Sequence, residues 1–195
     1  MGMTCSGMSV RDENLDEMLA QRHREWWLDY VQKRVVTANA KPVGWLERIF
    51  GGRPTEIEET LIQLDADRGE GEELDIDKAW AGINFLLTGE VWAGDYPLGF
   101  LVDGGVILND DSKDFAVRGF RSNEVSEILA ALRSVDHDVL AARFDPNAFK
   151  ERDVYPALDW SETDFEEYLW PYFQDLIKFL LTCQKNQCGF TLLIG

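Results

Sequence analysis

The sequence predicts a helix-rich α+β fold: one domain over residues 1–195, with a small mixed or antiparallel sheet that includes the N-terminal and C-terminal strands. Three observations carry that expectation. Apolar residues recur at helical spacing over most of the chain. The few strand candidates do not alternate with helices as βαβ units would. A short segment that reads as an edge-like strand, residues 3–8, lies at one end, and an apolar strand segment, 190–194, at the other. A terminal strand cannot satisfy its backbone alone, so these two segments are expected to be neighbours in the sheet.

Taken in order, residues 3–8 read as a strand. Ser9 reads as the N-cap of a long first helix, with Asp12 and Glu13 in its first turn, where carboxylates suit the helix dipole. Leu15, Met18, Leu19, Trp26 and Tyr30 mark its apolar face. A second helix is expected over 43–50, between Pro42 and Gly51-Gly52, and a capping box at Thr55-Glu-Ile-Glu58 opens a third. Asp75 or Asp77 is placed to cap the next helix. Its stripe is Ile76, Ala79, Trp80, Ile83, Leu86 and Leu87, and Gly89 is its C′ residue.

Residues 106–108 and 116–120 read as strands split by the turn Asn109-Asp-Asp-Ser. Ser122 is expected to cap a helix with Val125, Ile128, Leu129 and Leu132 on its apolar face. Asp136 and Asp145-Pro146 open two shorter helices. The last helix starts at Ser161-Glu-Thr-Asp164 and carries Phe165, Leu169, Tyr172, Phe173, Leu176, Ile177 and Leu180. Pro171 inside it is expected to bend the helix without ending it, because the stripe keeps its period across the proline. Residues 190–194 are apolar without alternation, the pattern of a strand buried on both faces.

Composition narrows the function classes. The chain has 36 Asp and Glu against 19 Lys and Arg, a net charge of −17. Such a chain repels nucleic acid and anionic lipid and attracts cationic partners. The charge is uneven: residues 1–54 hold seven acids and eight bases, whereas 55–195 hold 29 acids and 11 bases. With 45% hydrophobic residues, including 7 Trp and 11 Phe, global disorder is excluded. The start has no basic region followed by an apolar run, and no stretch is long enough to span a bilayer. A cytoplasmic protein is expected, and three cysteines do not make a disulfide framework.

No metal or other cofactor is expected. The candidate zinc ligands are Cys5, Cys183, Cys188, His23 and His137, and only the Cys183/Cys188 pair is close in sequence. No catalytic residue is assigned, because nucleophile-elbow and phosphate-loop patterns are absent. Two sets of binding candidates remain. Asp77, Trp80, Asn84 and Thr88 are spaced three, four and four and share a helical stripe. Its plain reading is a buried polar pair with Thr88 bonding back to the Asn84 carbonyl. Its functional reading is a pocket at Asn84 joined by Trp92 and Tyr155. The second set is Glu162, Asp164, Glu166, Glu167, Tyr168 and Trp170, an aromatic pair in an acidic frame.

Three stretches together resemble one family. They are the start Met1-Gly-Met3; the block Leu74-Asp-Ile-Asp-Lys-Ala-Trp-Ala-Gly-Ile-Asn-Phe-Leu-Leu-Thr-Gly89 followed by Pro97-Leu-Gly-Phe100; and Ala141-Ala-Arg-Phe-Asp-Pro146 with Tyr155-Pro156 and the end Leu193-Ile-Gly195. They resemble the YfbM-like family, a bacterial domain of unknown function, over essentially the whole chain. That family usually carries His where this chain has Asn84, so a role that needs a titrating imidazole would be missing here. The resemblance implies no established reaction. It does imply kinship with proteins that look like immunity proteins encoded beside toxins. The expected function is therefore an acidic, protein-binding immunity or inhibitor module that plugs a cationic site on a toxin domain. The alternative is a small-molecule-binding protein or enzyme using a pocket near Asn84 and Tyr155. A generic soluble protein without a charged partner is the third reading.

Overall fold

A computed structural model describes residues 2–20, 62, 64–109, 116–157 and 159–195. The Trp26–Tyr30 half of the first helix, the expected helices over 43–50 and from Thr55, and turn residues 110–112 lie outside the described residues. Five strands form one antiparallel sheet in the order β2-β1-β5-β4-β3. They are β1 (Cys5–Val10), β2 (Glu73–Asp75), β3 (Val106–Ile107), β4 (Val117–Phe120) and β5 (Gly189–Ile194). The described helices are α1 (Asp12–Ala20), α2 (Ala79–Thr88), α3 (Ser122–Leu132), α4 (His137–Ala141), α5 (Pro146–Glu151) and α6 (Trp170–Asn186).

The two chain ends meet in the middle of the sheet. β1 and β5 pair antiparallel from Cys5↔Ile194 to Val10↔Gly189. Thr4 and Gly195 extend the ladder by exchanging backbone bonds of 2.7 and 2.9 Å. β5 also pairs with β4, from Val117↔Leu193 to Phe120↔Phe190. A central strand covered on both faces has no reason to alternate, which explains its continuous apolar sequence. One face presents Cys5, Phe120, Phe190 and Leu192 to α2, α3 and α6 in the main core. The other presents Met8, Val10 and Val117 to Leu15, Met18 and Leu108 in a smaller core.

Four local expectations need correction. Ser9 is not a helix cap: it is buried in β1, and its hydroxyl donates to Gly69 O (2.8 Å) and accepts from Glu72 N (2.9 Å). The strand starts two residues later than residues 3–8 suggested, and it is not an edge strand, because β2 and β5 pair with it on either side and register against them rather than local pattern sets its ends. Ser122 is the first residue of α3, and Arg121 is the cap; the Glu124 carboxylate accepts from Arg121 N (2.7 Å). Ser122 instead gives its N–H and hydroxyl to Asp12, which ties the start of α3 to the start of α1. Neither Asp75 nor Asp77 caps α2, whose N-cap is Lys78. Asp77 turns the chain with φ 42°, and its N–H donates to the Asp75 carboxylate at 2.8 Å.

Asp136 and Asp145 do cap α4 and α5, accepting from Val139 N and Asn147 N. Gly89 ends α2 in the left-handed region at φ 78°, donating to Phe85 O. The last helix passes through Pro171. The turn before it, Phe165–Leu169, opens into a π-turn in which Trp170 N donates to Phe165 O. Proline has no N–H, and its ring would crowd the carbonyl four residues back; the wider turn relieves both demands.

Candidate functional site

The stripe Asp77, Trp80, Asn84, Thr88 divides into two places. Asn84 is fully buried. Its amide donates to Glu90 O (2.8 Å) and Ala93 O (3.0 Å), and Thr88 Oγ1 donates to Asn84 O (2.8 Å). The pair therefore clamps the loop after α2, and it is the side-chain-to-backbone pairing that its spacing suggested. Asn84 has no exposed surface, and its Oδ1 is buried without a hydrogen-bond partner.

Trp80 and Trp92 do meet Tyr155. Trp80 is buried at the base and donates Nε1–H to Met3 O at 3.2 Å. Its ring lies 5.4 Å from Trp92 and 5.9 Å from Tyr155, and Trp92 is 6.2 Å from Tyr155. Trp92 is 58% exposed, the most exposed large apolar side chain among the described residues.

Asp77 leads away from this cluster to the acidic face. Its carboxylate accepts from the Tyr168 hydroxyl at 3.0 Å, which joins one residue from each candidate set. Burial first, and then the bond to Asp77, raise the Tyr168 hydroxyl above its usual range. Tyr172 packs on Tyr168 at 5.2 Å. It is raised too, by burial first and then by the charges of Asp77, Asp75 and Asp175. Glu72, Glu73, Asp75 and Asp175 line a depression of about 230 Å³ between β2 and α6, which Lys178 also lines. Asp175 thus joins carboxylates about a hundred residues earlier in the chain. Among the described residues, none of Glu72, Glu73, Asp75, Asp77 and Asp175 has a cation within ion-pair distance.

The second candidate set is split. Asp164 is used locally, accepting from the N–H and hydroxyl of Ser161. Glu162 and Glu167 are exposed. Glu166 accepts from or donates to nothing on the acidic face; it meets His137 Nε2 at 2.7 Å. His137 also contacts Asp138 (3.2 Å) and stands edge-on to Trp170, with ring centroids 4.9 Å apart. Hydrogen bonds to Asp138 and Glu166 raise its pKa. Trp170 is therefore half-buried on the far side of α6 from β2, not beside Tyr168. The sequence pattern placed Asp75 and Asp77 as helix caps and Asp77 in the binding stripe, and nothing in it marked Asp175 as their neighbour. Among the described residues, no group of three or more His, Cys, Asp or Glu is arranged to hold a metal ion, and no helix is long and apolar enough to cross a membrane.

Comparison with known proteins gives the family. The model of a domain of unknown function, DUF1877, matches residues 1–192. The chain belongs to this family. A search of curated proteins returns no match. Among solved structures, the family's fold is met in the crystal structure of a protein of unknown function, YfbM from Escherichia coli. That chain is 18% identical, with a TM-score of 0.63, and the similarity covers 99% of this chain and 100% of that one. At such identity the likeness shows the fold, and it supports the YfbM-like resemblance read from the three sequence stretches.

Proposed function

We propose that this chain is a protein-binding module that docks a cationic partner on the face formed by β2 and the middle of α6. The observation that carries this reading is that Asp75, Asp77 and Asp175 lie around Tyr168 and Tyr172, while Glu72, Glu73, Asp75 and Asp175 line the neighbouring depression with one lysine, Lys178, which makes no ion pair with them. Crowded like charges repel in the free protein, and a basic partner relieves that repulsion. Two half-buried tyrosines at the same place offer rigid, amphipathic anchors of the kind that dominate interfaces. The finer reading is an immunity or inhibitor protein whose partner is a toxin domain with a basic cleft. The charge polarity and the family resemblance support it. A pocket at Asn84 is the weaker reading, since a ligand would first have to displace the loop that Asn84 holds.

The test is to co-express the chain with the product of the adjacent gene and measure association and dissociation rates against salt. Charged rims act over roughly 8 Å at physiological ionic strength and mainly set the association rate. Added salt, and neutralisation of Glu73, Asp75 and Asp175 together, should slow association. Tyr168→Ala or Tyr172→Ala should speed release, at a cost of about 2 kcal/mol if either is an anchor. Neutralising Glu162 and Glu167 should matter less. Absence of a complex, or binding indifferent to salt and to these substitutions, would leave the acids with no role beyond solubility and blunting the β2 edge.

A further inference from the structure

The far side of α6 has the opposite character. Between α3 and α6 runs a trough of about 830 Å³. Leu129, Phe173, Ile177 and Leu181 contribute apolar surface to it, and Trp170 lies at one end. Leu181 is 51% exposed, although it lies on a helix that already buries Phe173, Leu176, Phe179, Leu180 and Cys183 on its core side. The apolar arc of α6 is thus wider than the core requires. The charged side chains along this trough are Arg133, Lys178, Lys185 and Asp136. Asp136 is engaged as the cap of α4. No carboxylate lies within ion-pair distance of the three cations among the described residues.

We propose that this trough is a docking groove for an acidic amphipathic helix of a partner protein. Shape and charge both select that occupant. On α6 the lining runs from Trp170 to Lys185, about 22 Å at 1.5 Å per residue, which matches roughly four turns of a second helix. An apolar stripe on the guest would cover Ile177 and Leu181, and carboxylates on its flanks would meet Arg133, Lys178 and Lys185. The basic rim occurs on a chain of net charge −17, so overall charge would favour the opposite guest. His137 braces the Trp170 end of the groove through its ring contact and its bond to Glu166. The groove and the acidic depression on β2 lie on either side of α6, and Lys178 and Thr182 border both.

The probe is a labelled helical peptide of about 16 residues with Leu at i, i+3, i+4 and i+7 and Glu on its flanks. A second peptide carries Lys in place of Glu. Fluorescence anisotropy is read with the full chain, and peptide helicity by circular dichroism. The Glu peptide should bind and gain helicity. Leu181→Asp should weaken it by roughly tenfold or more, a change of about 1.4 kcal/mol, without altering the melting temperature, since Leu181 is half exposed. The triple reversal Arg133→Glu, Lys178→Glu, Lys185→Glu should likewise abolish binding of the Glu peptide and create groove binding of the Lys peptide that Leu181→Asp removes. No binding of the Glu peptide, or binding untouched by both variants, overturns the proposal. So does a concentration-dependent dimer of the chain alone that Leu181→Asp dissolves and the Glu peptide does not compete away, because the groove would then hold a second copy.

Discussion

Phe190→Ala is the substitution that tests the architecture most directly. Phe190 is fully buried in the central strand, where β5 is paired on both sides. Its ring stacks on Phe120 with centroids 4.7 Å apart and meets the edges of Phe179 and Phe100 at 5.8 and 6.5 Å. Removing the ring loses its transfer energy and leaves a cavity that strands held on both sides cannot easily collapse, a combined cost of about 3–5 kcal/mol. For a chain of this size each kcal/mol shifts the melting temperature by about 2–4 °C, so a fall of roughly 6–20 °C is expected. Urea unfolding followed by circular dichroism, together with calorimetry, measures it, and an unchanged m-value would place the loss in the native state. Ile107→Ala is the control: Ile107 is 50% exposed on the edge strand β3 and should change stability by no more than about 0.5 kcal/mol. A loss below about 1.5 kcal/mol for Phe190→Ala, or one equal to the control, would refute the placement of β5 at the centre of the core.

Three further outcomes are expected. Asn84→Ala should cost about 1–3 kcal/mol by leaving Glu90 O and Ala93 O short of a donor, and amide exchange after residue 89 should accelerate; unchanged exchange would show that the clamp is not needed. Burial pushes the Cys5 and Cys183 thiols from 9.0 up to about 12, so the native protein should resist alkylation at pH 8. Because the folded values are raised, the unfolded chain ionises first, and their contribution to stability is present below pH 9 and is lost as pH rises towards 12. A Cys5→Ala/Cys183→Ala variant should decline less steeply between pH 8 and 10 in urea titrations, and parallel slopes would count against the assignment. His137 should titrate above 6.5 by NMR, and Glu166→Gln should lower that value. Its stabilising bonds are complete below pH 6.5 and weaken as pH rises through the folded value; a pKa at or below 6.5 would contradict the ring's placement.

Much of the fold was legible because its signals are local. Asp136, Asp145-Pro146 and Gly89 act within one turn of their own position, so side-chain and backbone chemistry alone locates them. The continuous apolar run 190–194 implied burial on both faces, and chain-end pairing followed from the need to satisfy its backbone. Ser9 shows where local reasoning fails: cap and strand readings both suit the residue, and contacts with Gly69 and Glu72, some sixty residues away, decide between them. The stripe through Asn84 gave the Thr88 bond but not the loop carbonyls that the Asn84 amide holds, because loop position has no period.

By itself, then, the sequence determined the α+β class, the polarity of the charge, the meeting of the two ends and the interior bond between Thr88 and Asn84. Each depends on composition or on spacing within one element. Only the tertiary structure decided which charges share a face. Asp175 joins Glu72, Glu73 and Asp75 because α6 crosses beside the short edge strand β2. Trp170 and Tyr168, two residues apart, go to opposite sides of the last helix, one to His137 and the other to Asp77. The cationic trough arises the same way: Arg133 comes from the C-cap of α3, Lys178 and Lys185 from α6, and their common surface exists only once the two helices pack. Packing joins residues without regard to sequence distance, and charge acts through space, so the surfaces that carry the proposed binding could not be read along the chain.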